Sequence, residues 1–356
     1  MNNILFIISD LDRGGAQRVL TKIANHISKK FKVRILTLHK QKKLNFYISP
    51  KIQIIKLNFV IRNELHKKII DYFKLINVIR GKLKIYKPNR IISFINTTNI
   101  ITIISSFGFH SRLIISERND LHQQYLPFIW RFLRYFTYKL PKIISANSKN
   151  CISQLNEFVE NKKLFYLPNP VIFPANIKKV KNKVILAVGR LTYQKGFDIL
   201  IKAFKKSEVY KYGWKLEIYG DGHEKLKLKR LIKNLNLTKF ADINNHNNAI
   251  EKIYSKSTIF ILSSRFEGTP NVLLEAISYK VPCIISDNVK SAFEFLEHNK
   301  SCIKFKNENI MELSDSITLL SRENLVRKKI SEKAYKILRK NFSSKEVFKI
   351  WEKVLE

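Results

Sequence analysis

Two glutamates, Glu267 and Glu275, stand eight positions apart in the segment of the sequence that is best equipped for chemistry. The apolar run at residues 259–262 has the length of a buried strand, and the Gly-Thr-Pro stretch at residues 268–270 is typical of a turn that leads into a helix. One carboxylate then lies on the strand side of the turn and the other about a turn and a half into the helix. Two such acids can contact the hydroxyl groups of one ligand bound at the turn.

The predicted start of this helix suits an anion. We expect Thr269 to be the N-cap and Pro270 the first helical residue, where its missing N–H leaves nothing unsatisfied. The backbone N–H groups of Asn271, Val272 and Leu273 then lie at the positive end of the helix dipole, which binds phosphate well. Hydroxyl-binding acids beside a phosphate site suggest a nucleotide sugar as the ligand. The alternative is that two acids at this spacing occur by chance in an ordinary strand, turn and helix.

Glycines and cations follow two other predicted strands. Gly14 and Gly15 come shortly after the strand at residues 4–8 and let the backbone approach a ligand closely, although the complete spacing of a dinucleotide-binding motif is missing. Arg190 and Lys195 follow the first strand of the later half and place two cations beside a helix start. Cations in this position can clamp a diphosphate. The alternative is that both are solvated surface side chains.

Strand and helix signals alternate along the whole chain, in two series. The predicted strands are residues 4–8, 33–38, 90–94, 113–116 and 142–146 in the first series, and residues 184–188, 215–219, 259–262 and 283–286 in the second. Helical periodicity separates them, at residues 19–27, 65–83, 99–107, 196–205, 224–234 and from residue 270 onward. Alternation of this kind predicts an α/β fold with two Rossmann-like, doubly wound parallel-sheet domains.

A Leu-Pro-Asn-Pro stretch at residues 167–170 and a lysine-rich segment at residues 176–183 separate the two series. We therefore predict an amino-terminal domain over residues 1–168, a carboxyl-terminal domain over residues 169–340, and a last helix over residues 341–356 that crosses back to the first domain. In such a pair the domains face each other, and the ligand cleft lies between the carboxyl ends of the two sheets. The residues that directly follow strands are then the candidates for binding.

The chain carries a formal net charge of +38, and the excess is most one-sided in the first half. Residues 1–168 hold 30 Lys and Arg against 8 Asp and Glu. Such a surface attracts polyanions, such as anionic lipid headgroups, diphosphates or nucleic acid. The alternative is a genome biased toward lysine codons, which would raise lysine content everywhere without any function.

Cysteine number and hydropathy predict a protein of the cell interior. The three cysteines, Cys151, Cys283 and Cys302, are odd in number and widely spaced, which fits neither a disulfide framework nor a zinc site. Charged residues interrupt the first apolar run too early for a signal peptide. Residues 91–111 are uncharged but broken by Ser, Thr and Asn at many positions, too polar for a transmembrane helix. Any membrane contact is therefore expected to be peripheral.

Two segments of the first half combine basic and apolar side chains. In residues 65–83, apolar side chains recur four and three apart on a predicted helix that is rich in lysine: Leu65, Ile69, Tyr72, Ile76, Ile79 and Leu83. Residues 130–140 interleave aromatic side chains with Arg131, Arg134 and Lys139. Either segment could rest among lipid headgroups or hold a diphosphate. The alternative for both is an ordinary helix with a core-facing side and a solvated basic side.

The order of these motifs resembles that of the retaining glycosyltransferases of the GT-B fold, often called family 4 or group 1. The resemblance covers nearly the whole chain and is carried by residues 13–18, 187–191 with Lys195 and Gly196, 220–222, and 267–275. Residues 94–100, 115–119 and 130–134 resemble the subgroup that extends lipid-linked oligosaccharides, which includes N-acetylgalactosaminyltransferases of bacterial N-glycan assembly. The family resemblance implies two domains of the GT-B type.

The resemblance also implies roles for individual residues. Those implied in catalysis are Glu267, Arg190, Lys195 and Arg118. Those implied in donor binding are Gly14, Gly15, Gly268, Thr269, Pro270, Asn271, Val272 and Glu275. Within these sets, Glu267 would contact the donor sugar, Glu275 the ribose hydroxyls, and the two cations the diphosphate.

The implied reaction is the transfer, with retention, of a hexose or N-acetylhexosamine from a nucleotide sugar to a polyprenyl-diphosphate-linked saccharide, with UDP favoured as the carrier. The resemblance implies no metal and no other cofactor, because fixed cations and helix amides neutralise the leaving diphosphate. It also implies an anionic membrane surface as a peripheral partner, at the inner face of the cell membrane.

The sequence departs from the family pattern at four positions. Arg118 stands where many relatives carry a histidine near the reacting sugar and others an arginine. Lys280 and Cys302 stand where glycines are usual, and the loop near Asn245 lacks a glycine. Lysine is a poor residue if the preceding helix ends in a left-handed cap, whereas asparagine tolerates that conformation. These differences concern the geometry of the donor loops more than the fold.

Three alternatives stay open at the level of the sequence. Asp10-Leu11-Asp12 matches the D-x-D pattern of single-domain, metal-dependent glycosyltransferases, but it precedes a second Rossmann-like series. The basic charge fits a nucleic-acid-binding protein, but no helix-turn-helix, RNP or zinc signature accompanies it, so we expect no nucleic-acid partner. A nucleotide-sugar epimerase of the same fold would use the donor site without an acceptor.

Overall fold

The computed structural model describes residues 2–12, 14–41, 44, 46–109, 112–177, 182–245 and 250–356. Arg13 of the predicted glycine motif, residues 110 and 111 of the polar segment, and residues 178–181 of the predicted interdomain segment lie outside the described residues. The chain divides into two compact units: Met1–Pro170 together with Lys345–Glu356, and Val171–Ser344.

The first unit is built on a parallel sheet of seven strands: β1 Asn3–Ile8, β2 Lys32–His39, β3 Gln53–Phe59, β4 Arg90–Phe94, β5 Leu113–Glu117, β6 Ile143–Ala146 and β7 Leu164–Tyr166. Its helices include α1 Gly15–Ile27, α2 Leu65–Tyr86, α3 Asn96–Ser105, α4 Phe128–Thr137 and α5 Lys149–Asn156. The strands lie in the order β3-β2-β1-β4-β5-β6-β7. The order reverses between β1 and β4, where open α/β sheets form a crevice.

The second unit repeats this plan with six parallel strands: β8 Val184–Val188, β9 Lys215–Tyr219, β10 Ala241–Asn244, β11 Ile259–Leu262, β12 Cys283–Ser286 and β13 Ile303–Phe305. Its helices include α6 Phe197–Ser207, α7 Lys225–Asn234, α8 Ile250–Lys256, α9 Asn271–Ser278, α10 Ile310–Arg322 and α11 Asn324–Phe342. The strand order is β10-β9-β8-β11-β12-β13. Here the reversal lies between β8 and β11.

The central strands are continuous apolar runs, because helices cover both faces of a parallel sheet. Every residue of β8 and of β11 is buried. The predicted α/β class, with two doubly wound parallel sheets, is confirmed. The four strands that the sequence did not reveal, β3, β7, β10 and β13, are the four edge strands. Edge strands are short or half-exposed, so their apolar signal is weak.

The predicted starts of helices α3 and α9 were wrong, and those of α6 and α7 were one residue early. Helix α3 begins at Asn96 rather than at residue 99. Helix α9 begins at Asn271, and its N-cap is Pro270 rather than Thr269. The reason is that Pro270 has an extended backbone, with ψ near 105°, so helical dihedral angles start one residue later than predicted.

The last helix, α12 Ser344–Leu355, packs on the sheet of the first unit. The ring of its fully buried Trp351 stacks on Phe94, with centroids 6.3 Å apart. Glu352 lies 2.7 Å from the Nε2 atom of His26 and 2.6 Å from the Nζ atom of Lys30. An apolar anchor and a polar rim therefore fix α12 against the first unit.

Helix α2 buries only part of its predicted apolar stripe. Ile79 and Leu83 are fully buried, whereas Leu65 is 76% and Ile69 50% exposed. None of the described helices combines the length and the apolarity that a membrane crossing requires.

Candidate functional site

The candidate site of the second unit lies where its strand order reverses. Strands β8 and β11 are paired neighbours, so the loops that follow them emerge side by side at the carboxyl edge of the sheet. The loop after β8 carries Arg190 and Lys195, and the loop after β11 carries Glu267. Parallel sheets place ligands at this edge, at the point of reversal.

Lys195 and Glu267 form an ion pair across these two loops. The Nζ atom of Lys195 donates a hydrogen bond to Oε1 of Glu267, and the two side chains are only 12% and 10% exposed. Ser264 Oγ donates to the same carboxylate oxygen at 2.9 Å. Charges shielded from water interact more strongly than exposed ones, so this pair has a fixed geometry. The fold thus brings together two predicted catalytic residues.

Glycines let the loops at this edge approach each other. A Cβ atom at Gly189 would lie 3.1 Å from Cε of Lys195, and a Cβ atom at Gly220 would lie 1.9 Å from the carbonyl oxygen of Gly189. At Gly196, where φ is +62°, a Cβ atom would lie 2.1 Å from the carbonyl oxygen of Ser263. Close backbone packing therefore requires glycine at positions 196 and 220, whereas a side chain at position 189 would press on the side chain of Lys195.

Arg190 is the exposed cation of the site. Its guanidinium makes no hydrogen bond or ion pair with any other part of the described chain, whereas its backbone carbonyl oxygen accepts a hydrogen bond from Thr192 N at 2.9 Å. An arginine with a fixed backbone and an uncommitted side chain can bind an anionic group in a bidentate manner.

Glu275 lies in α9, the helix that starts after the loop of Glu267. The hydroxyl of the buried Tyr254 lies 3.2 Å from Oε2 of Glu275 and 3.2 Å from the carbonyl oxygen of Val272. The carboxylate is half-buried and held on the first turns of the helix. The amides of Asn271 and Val272 are at the amino-terminal end of the same helix, where the dipole favours an anion.

Side chains of residues 288 and 291 hold the loop around residues 268–270, which are predicted to bind the donor. Ser291 Oγ donates to the carbonyl oxygen of Gly268, and Thr269 is 9% exposed. Asn288 Nδ2 donates to the carbonyl oxygen of Arg265 at 2.5 Å, two residues before Glu267. The loop between β11 and α9 is therefore anchored at both ends.

Arg265 was not predicted as a site residue, yet it ties the two loops together. Its guanidinium bonds to both carboxylate oxygens of Asp198, at 3.1 and 2.9 Å, and to Glu308 at 2.7 Å. It also donates to the carbonyl oxygen of Tyr193 at 2.6 Å and lies 3.7 Å from the centre of that ring. The backbone N–H of Arg265 donates to Gln194 O at 2.8 Å. Arg265 therefore holds the 3₁₀ turn Tyr193–Lys195 next to the loop of Glu267.

The predicted glycines of the first unit follow β1. Gly14 is the N-cap of α1, with an extended backbone, and Gly15 is the first helical residue. The D-x-D alternative bears on the same loop: Asp10 accepts hydrogen bonds from Asp12 N at 2.9 Å, from Gln17 Nε2 at 3.2 Å and from Ser9 Oγ at 2.8 Å. These bonds use the Asp10 carboxylate to shape its own loop.

Arg118 lies at the carboxyl end of β5 and is 6% exposed. Its guanidinium donates to Ser116 Oγ at 2.8 Å and to Asn169 Oδ1 at 2.7 Å, and it lies over the rings of Phe94 and Trp351 at 4.9 and 5.8 Å. Burial lowers the pKa of Arg118 to about 9, so the group stays charged at neutral pH. These contacts favour a role in joining β5, the chain near residue 169 and α12. The predicted catalytic role stays a prediction.

The buried Glu117 organises the same edge of the first sheet. Its carboxylate accepts hydrogen bonds from the backbone N–H groups of Arg118 and Asn119, at 2.9 and 3.3 Å, and from the hydroxyl of Tyr138 at 2.9 Å. Burial raises the pKa of Glu117, and the positive charge of Arg134 is among the effects that oppose this rise.

The departures from the family pattern have different structural consequences. Lys280 adopts the left-handed conformation, with φ of +53°, in the turn that ends α9. Cys302 does not, because Asn299 takes the left-handed position in its turn, with φ of +58°. Asn245 does not have a positive φ either, and its side chain accepts a hydrogen bond from Lys225 at 2.5 Å. Backbone strain from a missing glycine therefore arises at Lys280 alone among these three.

A separate groove of about 440 Å³ in the second unit is lined by Lys183, Trp214 and Arg322, among others. Lys183 directly precedes β8, so the groove lies at the amino edge of the sheet. It is therefore distinct from the candidate site.

Comparison with known proteins finds a family model that matches the second half of the chain and relatives that match its whole length. Residues 169–337 match the family model of glycosyl transferases group 1. The chain is 28% identical to a Campylobacter jejuni GalNAc-alpha-(1->4)-GalNAc-alpha-(1->3)-diNAcBac-PP-undecaprenol alpha-1,4-N-acetyl-D-galactosaminyltransferase, over 100% of this chain and 98% of that protein. It is 27% identical to the C. jejuni N-acetylgalactosamine-N,N'-diacetylbacillosaminyl-diphospho-undecaprenol 4-alpha-N-acetylgalactosaminyltransferase, over 94% of each chain.

Solved structures agree on the fold. Anabaena HepE in complex with UDP superposes with a TM-score of 0.79 at 15% identity, over 100% of this chain and 99% of that one. Staphylococcus aureus TarM, in a complex that includes UDP, superposes with a TM-score of 0.81 at 13% identity, over 100% of both chains.

Proposed function

We propose that this glycosyltransferase of the GT-B fold, whose residues 169–337 match the group 1 family model, moves a hexose or N-acetylhexosamine from a UDP-sugar to a polyprenyl-diphosphate-linked saccharide. We further propose that the transfer retains the configuration of the anomeric carbon and needs no metal. The observation that carries the proposal is the group of Arg190, Lys195, Glu267 and Glu275 at the point of strand reversal in the second unit.

Each of these side chains has a chemical task in the proposed reaction. Cleavage of the bond between the sugar and the diphosphate leaves negative charge on the diphosphate. Arg190 and Lys195 neutralise this charge together with the amino-terminal amides of α9, and one such donor in a preorganised site is worth about 3 kcal/mol of barrier. Glu267 orients Lys195 and contacts sugar hydroxyls, and Glu275 contacts the ribose.

The proposal of a lipid-linked acceptor rests on the two Campylobacter relatives, whose names specify undecaprenol-linked acceptors. Because such an acceptor is held in a membrane, we place this protein at the inner face of the cell membrane, in peripheral contact with anionic lipid. The excess of basic residues in the first half supports this placement.

The test is transfer by the purified protein, with EDTA present, from labelled UDP-sugars and GDP-sugars to polyprenyl-diphosphate saccharides. We expect a labelled lipid product from a UDP-sugar, at a rate that EDTA does not change. NMR of the product should show an axial linkage when the donor sugar is axially linked. Loss of transfer with EDTA, restored by a divalent cation, would contradict the metal-free mechanism. An epimerised nucleotide sugar without lipid product would favour the epimerase alternative.

Variants separate the site from the rest of the protein. Arg190→Ala is expected to lower kcat about 100-fold or more while the free energy of unfolding changes by less than about 0.5 kcal/mol, since Arg190 is exposed and makes no described side-chain contact. Arg339→Ala is the matched control, because Arg339 is an exposed arginine on α11. Equal activity of the two variants would remove Arg190 from the site.

A further inference from the structure

The turn that carries Lys195 also carries an exposed tyrosine. Tyr193 and Lys195 are the first and last residues of the 3₁₀ turn between β8 and α6. Tyr193 is 57% exposed, whereas the side chain of Lys195 is only 12% exposed. Side chains two positions apart in such a turn point about 120° away from each other, because a 3₁₀ turn has about three residues. Since Lys195 is directed at Glu267, the ring of Tyr193 is directed away from that carboxylate.

Hydrogen bonds hold the backbone of this turn against the loop that follows β11. Ser263 Oγ donates to the carbonyl oxygen of Lys195 at 3.0 Å, and Arg265 Nη1 donates to that of Tyr193 at 2.6 Å. The last residue of the turn thus contacts the start of the loop, and the first residue of the turn contacts a later part. The turn and the loop run antiparallel, so Tyr193 is the residue of the turn that lies furthest beyond the end of β11.

One face of the Tyr193 ring is covered. The guanidinium carbon of Arg265 lies 3.7 Å from the centre of the ring, in a cation–π contact. Arg265 is itself fixed by ion pairs with Asp198 and Glu308, so the ring rests on a rigid support. A tyrosine has only two side-chain torsions, and a contact of this kind restricts both. Because the side chain is more than half exposed although one face is covered, the opposite face of the ring is open to solvent.

An open and rigid ring face suits a sugar. The face of an aromatic ring carries partial negative charge, whereas the axial C–H groups of a pyranose carry partial positive charge. A sugar ring can therefore lie flat on the tyrosine, and both partners then remove apolar area from water. A ring that is already fixed loses little side-chain entropy when a ligand binds. The same negative face repels a diphosphate, so a saccharide is the part of the substrates that fits this ring.

The location of the ring separates it from the nucleoside of the donor. Helix α6 connects β8 to β9 and helix α9 connects β11 to β12, and these two connections run in opposite directions along the sheet. Right-handed crossovers in opposite directions place the two helices on opposite faces of the sheet. Tyr193 lies on the α6 side, since the Arg265 beneath it bonds to Asp198 of α6. Glu275, which we propose to contact the ribose, lies in α9. The ribose and the ring of Tyr193 are therefore on opposite sides of the sheet edge.

We propose that the open face of Tyr193 is the platform on which a pyranose ring of the acceptor saccharide stacks, beside the donor sugar at Glu267. The inference rests on the proposed function, since it names a residue of the second unit that binds the acceptor of that reaction. Stacking fixes the distance and the tilt of the acceptor ring and leaves the hydroxyl groups at its edge accessible. Tyr193 therefore binds and orients the acceptor, whereas Arg190 and Lys195 neutralise the leaving diphosphate.

The experiment compares steady-state kinetics of variants of the full chain. Tyr193→Phe keeps the ring and should change the KM for the acceptor less than about twofold. Tyr193→Leu still covers Arg265 but offers no aromatic face, and it should raise the acceptor KM about tenfold while the KM for the UDP-sugar stays the same. Tyr212→Leu is the matched control, because Tyr212 is a 65% exposed tyrosine at the amino edge of the same sheet, and it should leave both KM values unchanged. A lower kcat in Tyr193→Leu with both KM values unchanged would overturn the proposal, since the ring would then only support Arg265. A rise in the KM for the donor alone would also overturn it.

A second measurement does not depend on turnover. The full chain, labelled with ¹³C in its tyrosine rings and saturated with UDP, is titrated with methyl glycosides of glucose, galactose, N-acetylglucosamine and N-acetylgalactosamine. We expect at least one glycoside to shift the NMR signals of Tyr193, which are identified as those missing in Tyr193→Phe, and to shift them equally in Tyr212→Leu. Signals of Tyr193 that no glycoside moves would overturn the proposal.

The two measurements distinguish failure of the platform from failure of the proposed function. A protein that transfers no sugar, but whose Tyr193 signals respond to a glycoside, refutes the proposed function alone. A protein that transfers sugar with the same acceptor KM in Tyr193→Leu as in the unchanged chain refutes the platform alone.

Discussion

Arg265 and Asp198 form a bidentate ion pair, with distances of 3.1 and 2.9 Å between their paired atoms. The pair joins the end of β11 to the first turn of α6, on either side of the turn that carries Lys195. Arg265 is 8% exposed, so Asp198 and Glu308 compensate a charge that is largely shielded from water. The ion pair behind the site therefore determines where Lys195 meets Glu267.

Arg265→Lys is expected to lower kcat about tenfold and Arg265→Ala about 100-fold, because a displaced turn moves Lys195 by a fraction of an ångström or more. A lysine keeps the charge but not the two parallel bonds, which explains the graded effect. Steady-state kinetics with a UDP-sugar measures this. A lower kcat with an unchanged KM for the donor would indicate that Lys195 is displaced. An unchanged kcat in both variants would contradict the prediction.

Asp198→Asn should destabilise the fold in a pH-dependent way. Burial raises the pKa of Asp198, but the hydrogen bonds and charge of Arg265 lower it more, so the pKa lies below its ordinary value. A lowered carboxyl pKa contributes stability above the pKa of the unfolded chain, near 3.9, and this is lost as pH falls. Urea unfolding should show the variant less stable by about 1–3 kcal/mol at pH 7, with a smaller difference below pH 4. A difference that grows as pH falls would contradict the ion pair.

Variants of the Lys195–Glu267 pair should affect the stability of the protein and its transfer activity differently. Lys195→Met leaves the carboxylate of Glu267 without its cation, and Glu267→Gln leaves the ammonium group of Lys195 without its anion. Each variant should lose about 3 kcal/mol in the free energy of unfolding. The double variant leaves no unpaired charge and should recover at least half of that loss. Transfer activity should stay absent in all three variants. Recovery of activity in the double variant would show that the pair is structural only.

Much of the donor site was predictable because its residues lie close together in sequence or directly after strong strands. Residues 267–275 hold two acids and a helix start within nine positions, and Arg190 follows a fully buried strand. The interactions of Arg265 with Asp198 and Glu308 span 67 and 43 positions. A sequence does not show such pairs, because an isolated arginine is most often solvated.

The orientation of α4 was also not determined by its sequence. Its periodicity indicates one apolar face, and the general expectation is that this face is buried. In the structure Trp130 and Leu133 pack against the core and Arg134 lies near Glu117, whereas Phe128 and Phe132 are exposed. The edge strands were missed for a related reason. They pair with only one neighbouring strand and are partly exposed to solvent, so their sequences are less apolar.

Gly196→Ala should destabilise the second unit and reduce activity together. The added Cβ atom would lie 2.1 Å from the carbonyl oxygen of Ser263, at a backbone φ of +62° that alanine disfavours. The left-handed conformation alone costs about 1–2 kcal/mol, and the clash displaces the 3₁₀ turn that ends at Lys195. Gly81→Ala is the control, because nothing lies within 4 Å of a Cβ atom there and the residue is inside α2. Thermal unfolding should show Gly81→Ala stabilised by about 0.5–1 kcal/mol.

The three cysteines should resist alkylation in the folded protein. Cys151, Cys283 and Cys302 are buried, and burial raises the pKa of each thiol, to about 12 for Cys302. The thiolate is the reactive form, so little of it is present at pH 8. Iodoacetamide should therefore label the native protein far more slowly than an exposed thiol and should label three cysteines after denaturation, as counted by mass spectrometry. Rapid labelling of Cys283 or Cys302 at pH 8 would mean that the core at β12 and β13 opens, because Cys283 is the first residue of β12 and Cys302 directly precedes the neighbouring strand β13.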